Sequence, residues 1–182
     1  MISKPQQKKL LSLARKSIET AFENKSPKAE GDFLNEKRGV FVTLKINNEL
    51  RGCIGFPEPV LPLGEAIIES ARQAAFNDPR FPELDKSELK KVKIEMSVLT
   101  KPEEVKAKTP LERAKQIKVG EDGLIVRRGI FSGLLLPQVA SEYKWNEEEF
   151  LNQTCIKAGL PFDAWKEPDT KVYKFQAEVF GE

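Results

Sequence analysis

The 182-residue sequence has no histidine and only two cysteines, Cys53 and Cys155. Without imidazole there is no Ser-His or Cys-His nucleophile pair, no imidazole acid–base catalysis and no histidine-containing metal site. Two thiols cannot form a four-thiolate zinc site or ligate an iron–sulfur cluster by cysteine alone, so neither a metal nor another cofactor is expected. A disulfide framework is equally foreign to an intracellular chain of this size. No run approaches the roughly 20 apolar residues that cross a bilayer, and Met1–Lys9 lacks the apolar centre of a signal peptide. The expectation is a cytoplasmic protein without a membrane partner. An excess of charge of either sign is also missing: 30 Lys and Arg face 28 Asp and Glu, for a net charge of +2. The signs are interleaved, which argues against strong general nucleic-acid binding.

What is present suits a globular fold. With 40% apolar and 32% charged residues, the chain can build one good core or two closely packed subdomains. Its wealth of lysine and glutamate fits a thermophilic source. Leu10, Leu11, Ala14, Ile18, Ala21 and Phe22 recur at helical spacing and predict an amphipathic helix from Lys4 to Asn24. Residues 39–46 read as a strand, Asn47-Asn48 as a two-residue turn and residues 49–55 as the return strand. A helix with a narrow face of small residues follows at 63–76. Val92, Ile94, Met96 and Val98 alternate with polar residues in a strand over 91–98. Thr109-Pro110 opens a short helix. Gln116–Val119 and Leu124–Arg128 flank the turn Glu121-Asp122-Gly123 and resemble a second hairpin, and residues 129–136 continue as an apolar strand. Pro137 starts a short helix, Asn146 caps a longer one that ends at Gly159, and a last strand spans 171–180. The pattern is α+β, with mixed or antiparallel sheets and flanking helices in one compact unit over residues 1–182. A smaller subdomain near 85–130 is expected.

The stretch Glu49-Leu50-Arg51-Gly52-Cys53-Ile54-Gly55 sets one of the two cysteines between glycines. If Asn47 and Asn48 form the loop, Leu44 faces Arg51, Val42 faces Cys53 and Gly52 opposes Thr43, so that Arg51 and Cys53 share a face. Gly52 and Gly55 remove side chains from the other face, which implies a bulge or the close approach of another backbone or a ligand.

Leu50-Arg51-Gly52-Cys53-Ile54-Gly55 resembles the hallmark hexapeptide of the AMMECR-one domain family. Residues 39–44, Asp78-Pro79-Arg80-Phe81, Leu135-Leu136-Pro137-Gln138-Val139-Ala140, residues 157–161 and the terminal block around 175–180 resemble family segments in the same order. The resemblance implies an α+β fold with a larger and a smaller subdomain, and a groove where the motif residues collect. It implies no assigned reaction. Relatives occur beside, or fused to, Memo-like and radical-SAM proteins, which implies a shared pathway.

Each motif residue has a functional and a plain reading. Beside Arg51, Cys53 can be a low-pKa nucleophile or a small buried side chain in a tight hairpin. Arg51 can grip a carboxylate or phosphate, or pair with Asp78 or Glu95. Asp78 and Phe81 suit a rigid turn, from which Arg80 can join Arg51 at an anion. Gln138 can present its amide to the same anion or cap a helix. Glu95 and Ser97 can line the groove or simply face solvent, and Trp145 and Trp165 can stack bases or pack.

The candidate site is therefore Cys53 as nucleophile, with Arg51, Gly52, Gly55, Thr43, Asp78, Arg80, Glu95 and Gln138 as ligand-binding residues. Two functions follow. One is a binding or adaptor protein whose inter-subdomain groove holds an anionic ligand, whether nucleotide, RNA segment or small acid. The other is an enzyme of nucleotide or RNA metabolism that uses the Cys53 thiol or a carboxylate such as Glu95 or Asp78.

Overall fold

In the computed structural model, which describes all 182 residues, the elements run α1 (Lys4–Ala21), β1 (Val40–Ile46), β2 (Glu49–Phe56), α2 (Leu63–Phe76), β3 (Lys93–Leu99), β4 (Glu103–Glu104), α3 (Pro110–Lys115), β5 (Gly123–Arg128), β6 (Phe131–Leu135), α4 (Pro137–Glu142), α5 (Glu147–Lys157), β7 (Lys171–Phe175) and β8 (Ala177–Gly181). The class is α+β. No helix is long and apolar enough to cross a membrane. The chain divides into two units, Met1–Leu99 with Glu178–Glu182 and Thr100–Ala177. The second unit thus starts and ends later than the 85–130 segment. β3 pairs with β1 and belongs to the first unit, while β7 pairs with β5 and belongs to the second.

In the first unit, the Ser3 hydroxyl accepts the Gln6 N–H and the Gln6 side chain returns to the Ser3 N–H, a reciprocal cap that starts α1. The helix stops at Ala21 rather than Asn24, because Asn24 turns left-handed with φ of 55° and the Lys25 N–H closes back on the Thr20 carbonyl. The sheet order is β2-β1-β3-β8, with β1 antiparallel to both β2 and β3. Val40, Val42 and Leu44 alternate inward beside Ile94, Met96 and Val98, and join Leu10, Ala14 and Ile18 of α1 and Ala66, Ile67 and Ala71 of α2 in one core. The residues between them, Phe41, Thr43, Lys45, Glu95 and Ser97, lie half-exposed on the opposite face.

The second unit has its own core, in which Leu124, Val126 and Val172 of the sheet pack with Phe150, Leu151, Cys155 and Trp165. Its sheet order is β4-β7-β5-β6, antiparallel at every pairing. Asn146 accepts the Glu149 N–H to cap α5, and Gly159, at φ of 76°, ends it. Two sequence expectations fail here. Gln116–Val119 is not a strand, since the buried Asp122 carboxylate takes the Lys118 N–H at 2.9 Å and closes 118–122 into a turn. The hairpin is instead β5 with β6, joined through Gly129 at φ of 58° and Ile130. The last strand is two strands in two sheets. Gln176 interrupts it by exchanging hydrogen bonds with Thr100, its N–H to the Thr100 hydroxyl and its carbonyl from the Thr100 N–H. Phe180 is buried beyond the break and Val179 exposed, which ends the alternation expected through Val179.

Candidate functional site

The hairpin that carries the motif turns through Asn47 and Asn48, both left-handed, at φ of 53° and 66°. Ile46 faces Glu49 and Lys45 faces Leu50. Beyond these the register shifts by a bulge, so that Leu44 faces Gly52, Thr43 faces Cys53 and Phe41 faces Gly55. The expected pairs Leu44–Arg51, Val42–Cys53 and Thr43–Gly52 are corrected accordingly, and Arg51 is the residue left without an opposite number. The slip moves Gly52 to the core face and Cys53 to the other face.

Both glycines answer to the protein's own backbone. A Cβ on Gly52 would sit 2.0 Å from the Ala74 carbonyl oxygen of α2, and one on Gly55 would sit 2.2 Å from the Val40 carbonyl oxygen and 2.6 Å from the Phe41 ring. Gly52 lets α2 rest on the strand, and Gly55 makes room for Phe41.

Across the half-exposed face the register sets Cys53, Thr43 and Glu95 in one row over β2, β1 and β3. The Thr43 hydroxyl donates to Cys53 Sγ at 3.2 Å. Glu95 is engaged by Lys45 Nζ at 2.8 Å. β2 is an edge strand, and the residues just past α2 close its edge at Cys53. Asp78 Oδ2 accepts the Cys53 N–H at 2.8 Å, while Arg80 Nη2 donates to the Cys53 carbonyl at 3.1 Å. Together the two side chains make the pair of bonds that a neighbouring strand would make. Asp78 also accepts the Arg80 N–H and grips the Arg80 guanidinium through Nε at 2.9 Å and Nη2 at 2.7 Å. These hydrogen bonds from Arg80, with that from the Cys53 N–H, outweigh burial and hold the Asp78 carboxyl well below the usual carboxylate range. The Asp78 side chain is only 2% exposed, whereas that of Arg80 is 54% exposed and its Nη1 donates to no protein group.

Arg51 stands apart from this cluster. Its Nε and Nη2 fork onto the Glu88 carboxylate, both at 2.9 Å, and Nη1 and Nη2 also reach the carbonyls of Pro82 and Glu83. It pairs with neither Asp78 nor Glu95, and staples the 82–88 segment to the bulge. The Arg51 fork holds the Glu88 carboxyl below its ordinary range. Glu88 did not figure in the sequence reading. The signal was the Asp85-Lys86-Ser87-Glu88 spacing, because Glu88 also caps the Asp85 N–H in a short turn. Gln138 lies exposed at the start of α4 in the second unit. Trp165 is buried, its Nε1 donating to Asn152, and Trp145 stacks on Tyr143. Cys155 is fully buried, and that burial pushes its thiol up to about 11.

A sequence profile of the AMMECR1 family matches residues 11–180. The chain belongs to the AMMECR1 family. Among its relatives, a protein of Thermococcus onnurineus is 54% identical over 182 residues, covering 95% of this chain and 88% of its own length. One of Methanothermobacter thermautotrophicus is 48% identical over 185 residues, covering 100% and 96%. The crystal structure of an uncharacterized protein from Pyrococcus horikoshii superposes with a TM-score of 0.76 at 53% identity over 95% of this chain and 89% of that one.

Proposed function

We propose that this AMMECR1 protein is a binding domain that holds an anionic ligand at Arg80, above the Cys53–Thr43–Glu95 row, without performing chemistry of its own. The carrying observation is the Asp78–Arg80 fork. A carboxylate 2% exposed fixes a guanidinium 54% exposed, so that Nη1 faces solvent already oriented and loses little freedom on binding. Arg51 has no part in the grip, since Glu88 and two carbonyls occupy it. Thr43 and Cys53 supply the polar floor, and Lys45 a second cation beside Glu95. Calorimetric titration with ATP, a uridine oligonucleotide and citrate tests this. At least one should bind, and Arg80→Gln, checked for folding by its melting curve, should weaken that ligand by about tenfold, the loss of one charge-assisted contact. Equal affinity for wild type and variant, or no binding to folded protein by any of the three, overturns the reading.

One observation favours a thiol enzyme as the second reading. The Thr43 hydroxyl lies 3.2 Å from Cys53 Sγ, within hydrogen-bonding reach of the sulfur that would act as nucleophile. With Cys155 buried, iodoacetamide reports on Cys53 alone. The enzyme reading requires Cys53 to alkylate faster than an unstructured thiol and Thr43→Val to slow it; a rate at or below the unstructured reference rejects it.

A further inference from the structure

The outer edge of β6 is open. Arg128 and Phe131 close the two-residue turn at Gly129-Ile130 and are a hydrogen-bonded pair. Bonded pairs alternate along an antiparallel ladder, so Val126–Gly133 and Leu124–Leu135 are bonded too, and the N–H and C=O of Ser132 and Leu134 point away from β5. β6 is the last strand of its sheet, and no other backbone or side-chain group takes these four polar groups. Two other strand edges are guarded. β2 is closed at Cys53 by Asp78 and Arg80, and β4, at the far side of the β6 sheet, is only Glu103 and Glu104, short and acidic. β6 carries no such guard. Residues 129–141 include no ionisable side chain in a chain that is 32% charged. Beside the open edge, Ile130 is 94% and Phe131 48% exposed.

We infer that β6 is a self-association edge, on which two copies of this chain pair antiparallel about a twofold axis at Gly133. In that register Ser132 of each copy faces Leu134 of the other. The four free groups of one edge satisfy the four of the second, and each is used once. Phe131 then faces Leu135 of the second copy and covers part of its exposed ring. No charge opposes a like charge, because the strand and its flanks have none. Gly133 suits the axis, having no side chain; its own face is filled by the α5 end, with a built Cβ only 2.3 Å from the Ala158 nitrogen. Two five-residue strands and their Ile–Phe flanks form a small contact, at the low end of the about 1,200–2,000 Å² typical of specific interfaces. The expected dissociation constant is therefore micromolar. This association is independent of the Arg80 site.

Sedimentation velocity across a dilution series, with hydrogen exchange read at single amides, tests it. Expected are a monomer–dimer equilibrium and slowed exchange of the Ser132 and Leu134 amides that appears only at concentrations where the dimer is populated. Ser132 is exposed, so Ser132→Lys leaves the fold intact and should raise the dissociation constant at least about tenfold by placing a cation near its own copy across the axis. Ser132→Thr should retain the dimer. A monomer at every concentration, a dimer whose Ser132 and Leu134 amides exchange freely, or a Ser132→Lys protein that dimerises as tightly as wild type each overturns the inference.

Discussion

At the scale of single residues, Asp78 is the most constrained group of the motif region. It accepts from the Cys53 backbone, the Arg80 backbone and the Arg80 guanidinium at once. Its folded-state pKa lies below the unfolded value of about 3.9. For a depressed carboxyl, the stability contribution is fully present above the unfolded pKa and is lost as pH falls towards the folded one. Asp78→Asn should therefore cost about 2 kcal/mol at neutral pH, kept to that size because Arg80 is half in water. The gap from wild type should narrow steadily below about pH 4. Denaturant titrations at a series of pH values measure it, and parallel stability curves for the two proteins would show that Asp78 does not carry the acid sensitivity.

At the scale of elements, α2 and β2 are fitted backbone to backbone, and each has one side chain that tests the fit. Gly52→Ala sets a methyl group 2.0 Å from the Ala74 carbonyl oxygen, so α2 must move, at a cost of about 3 kcal/mol. Ser70 is the opposite case. Its hydroxyl is fully buried on α2 with no partner, so Ser70→Ala should leave stability unchanged or raise it by up to about 1 kcal/mol. Thermal melts of both variants check the contrast, and equal loss would mean the α2 face is less closely packed than the geometry requires. Much of this layer was legible in the sequence. The bounds of α2, the inward alternation of Ile94, Met96 and Val98, and the Asn47-Asn48 turn all follow from period and turn chemistry. The bulge did not, because Leu50 to Gly55 fits either register until α2 must find a glycine to rest on. The same slip explains the site. Thr43 beside Cys53, and Asp78 with Arg80 on the Cys53 backbone, became visible only with the shifted ladder, and Arg51 went to Glu88, which no spacing rule ties to the motif. Local pattern likewise ran through Gln176, because the Thr100 pairing that breaks the strand is made by a residue distant in sequence.

At the scale of the whole molecule, the chain leaves the first unit at Leu99 and returns to it for its last five residues, Glu178–Glu182. That return is integral to the first unit. Phe180 enters its core, β8 lies beside β3, and Glu178 takes the Ile2 N–H and an Arg38 contact. Glu182 is gripped by Arg15 and accepts the Ile94 N–H at 3.1 Å. Burial works against the Glu182 charge, but Arg15 and the Ile94 N–H outweigh it and hold the carboxyl below its ordinary range. Deleting Glu178–Glu182 removes a buried phenylalanine, takes from Arg15 and Arg38 their carboxylate partners and uncovers the outer edge of β3, a loss on the order of 5 kcal/mol. The core around Phe150, Trp165 and Val172 contains none of the deleted residues. Hydrogen exchange on the truncated chain should therefore show its largest loss of protection in β3 and α1, and a much smaller one in β5 and β7. Uniform loss across all four would mean that the two cores unfold as a single cooperative unit, and full protection in β3 would mean that the returning strand is dispensable. The prediction separates these because the stabilising contacts of the tail fall on one core alone, though the chain reaches it only after building the other.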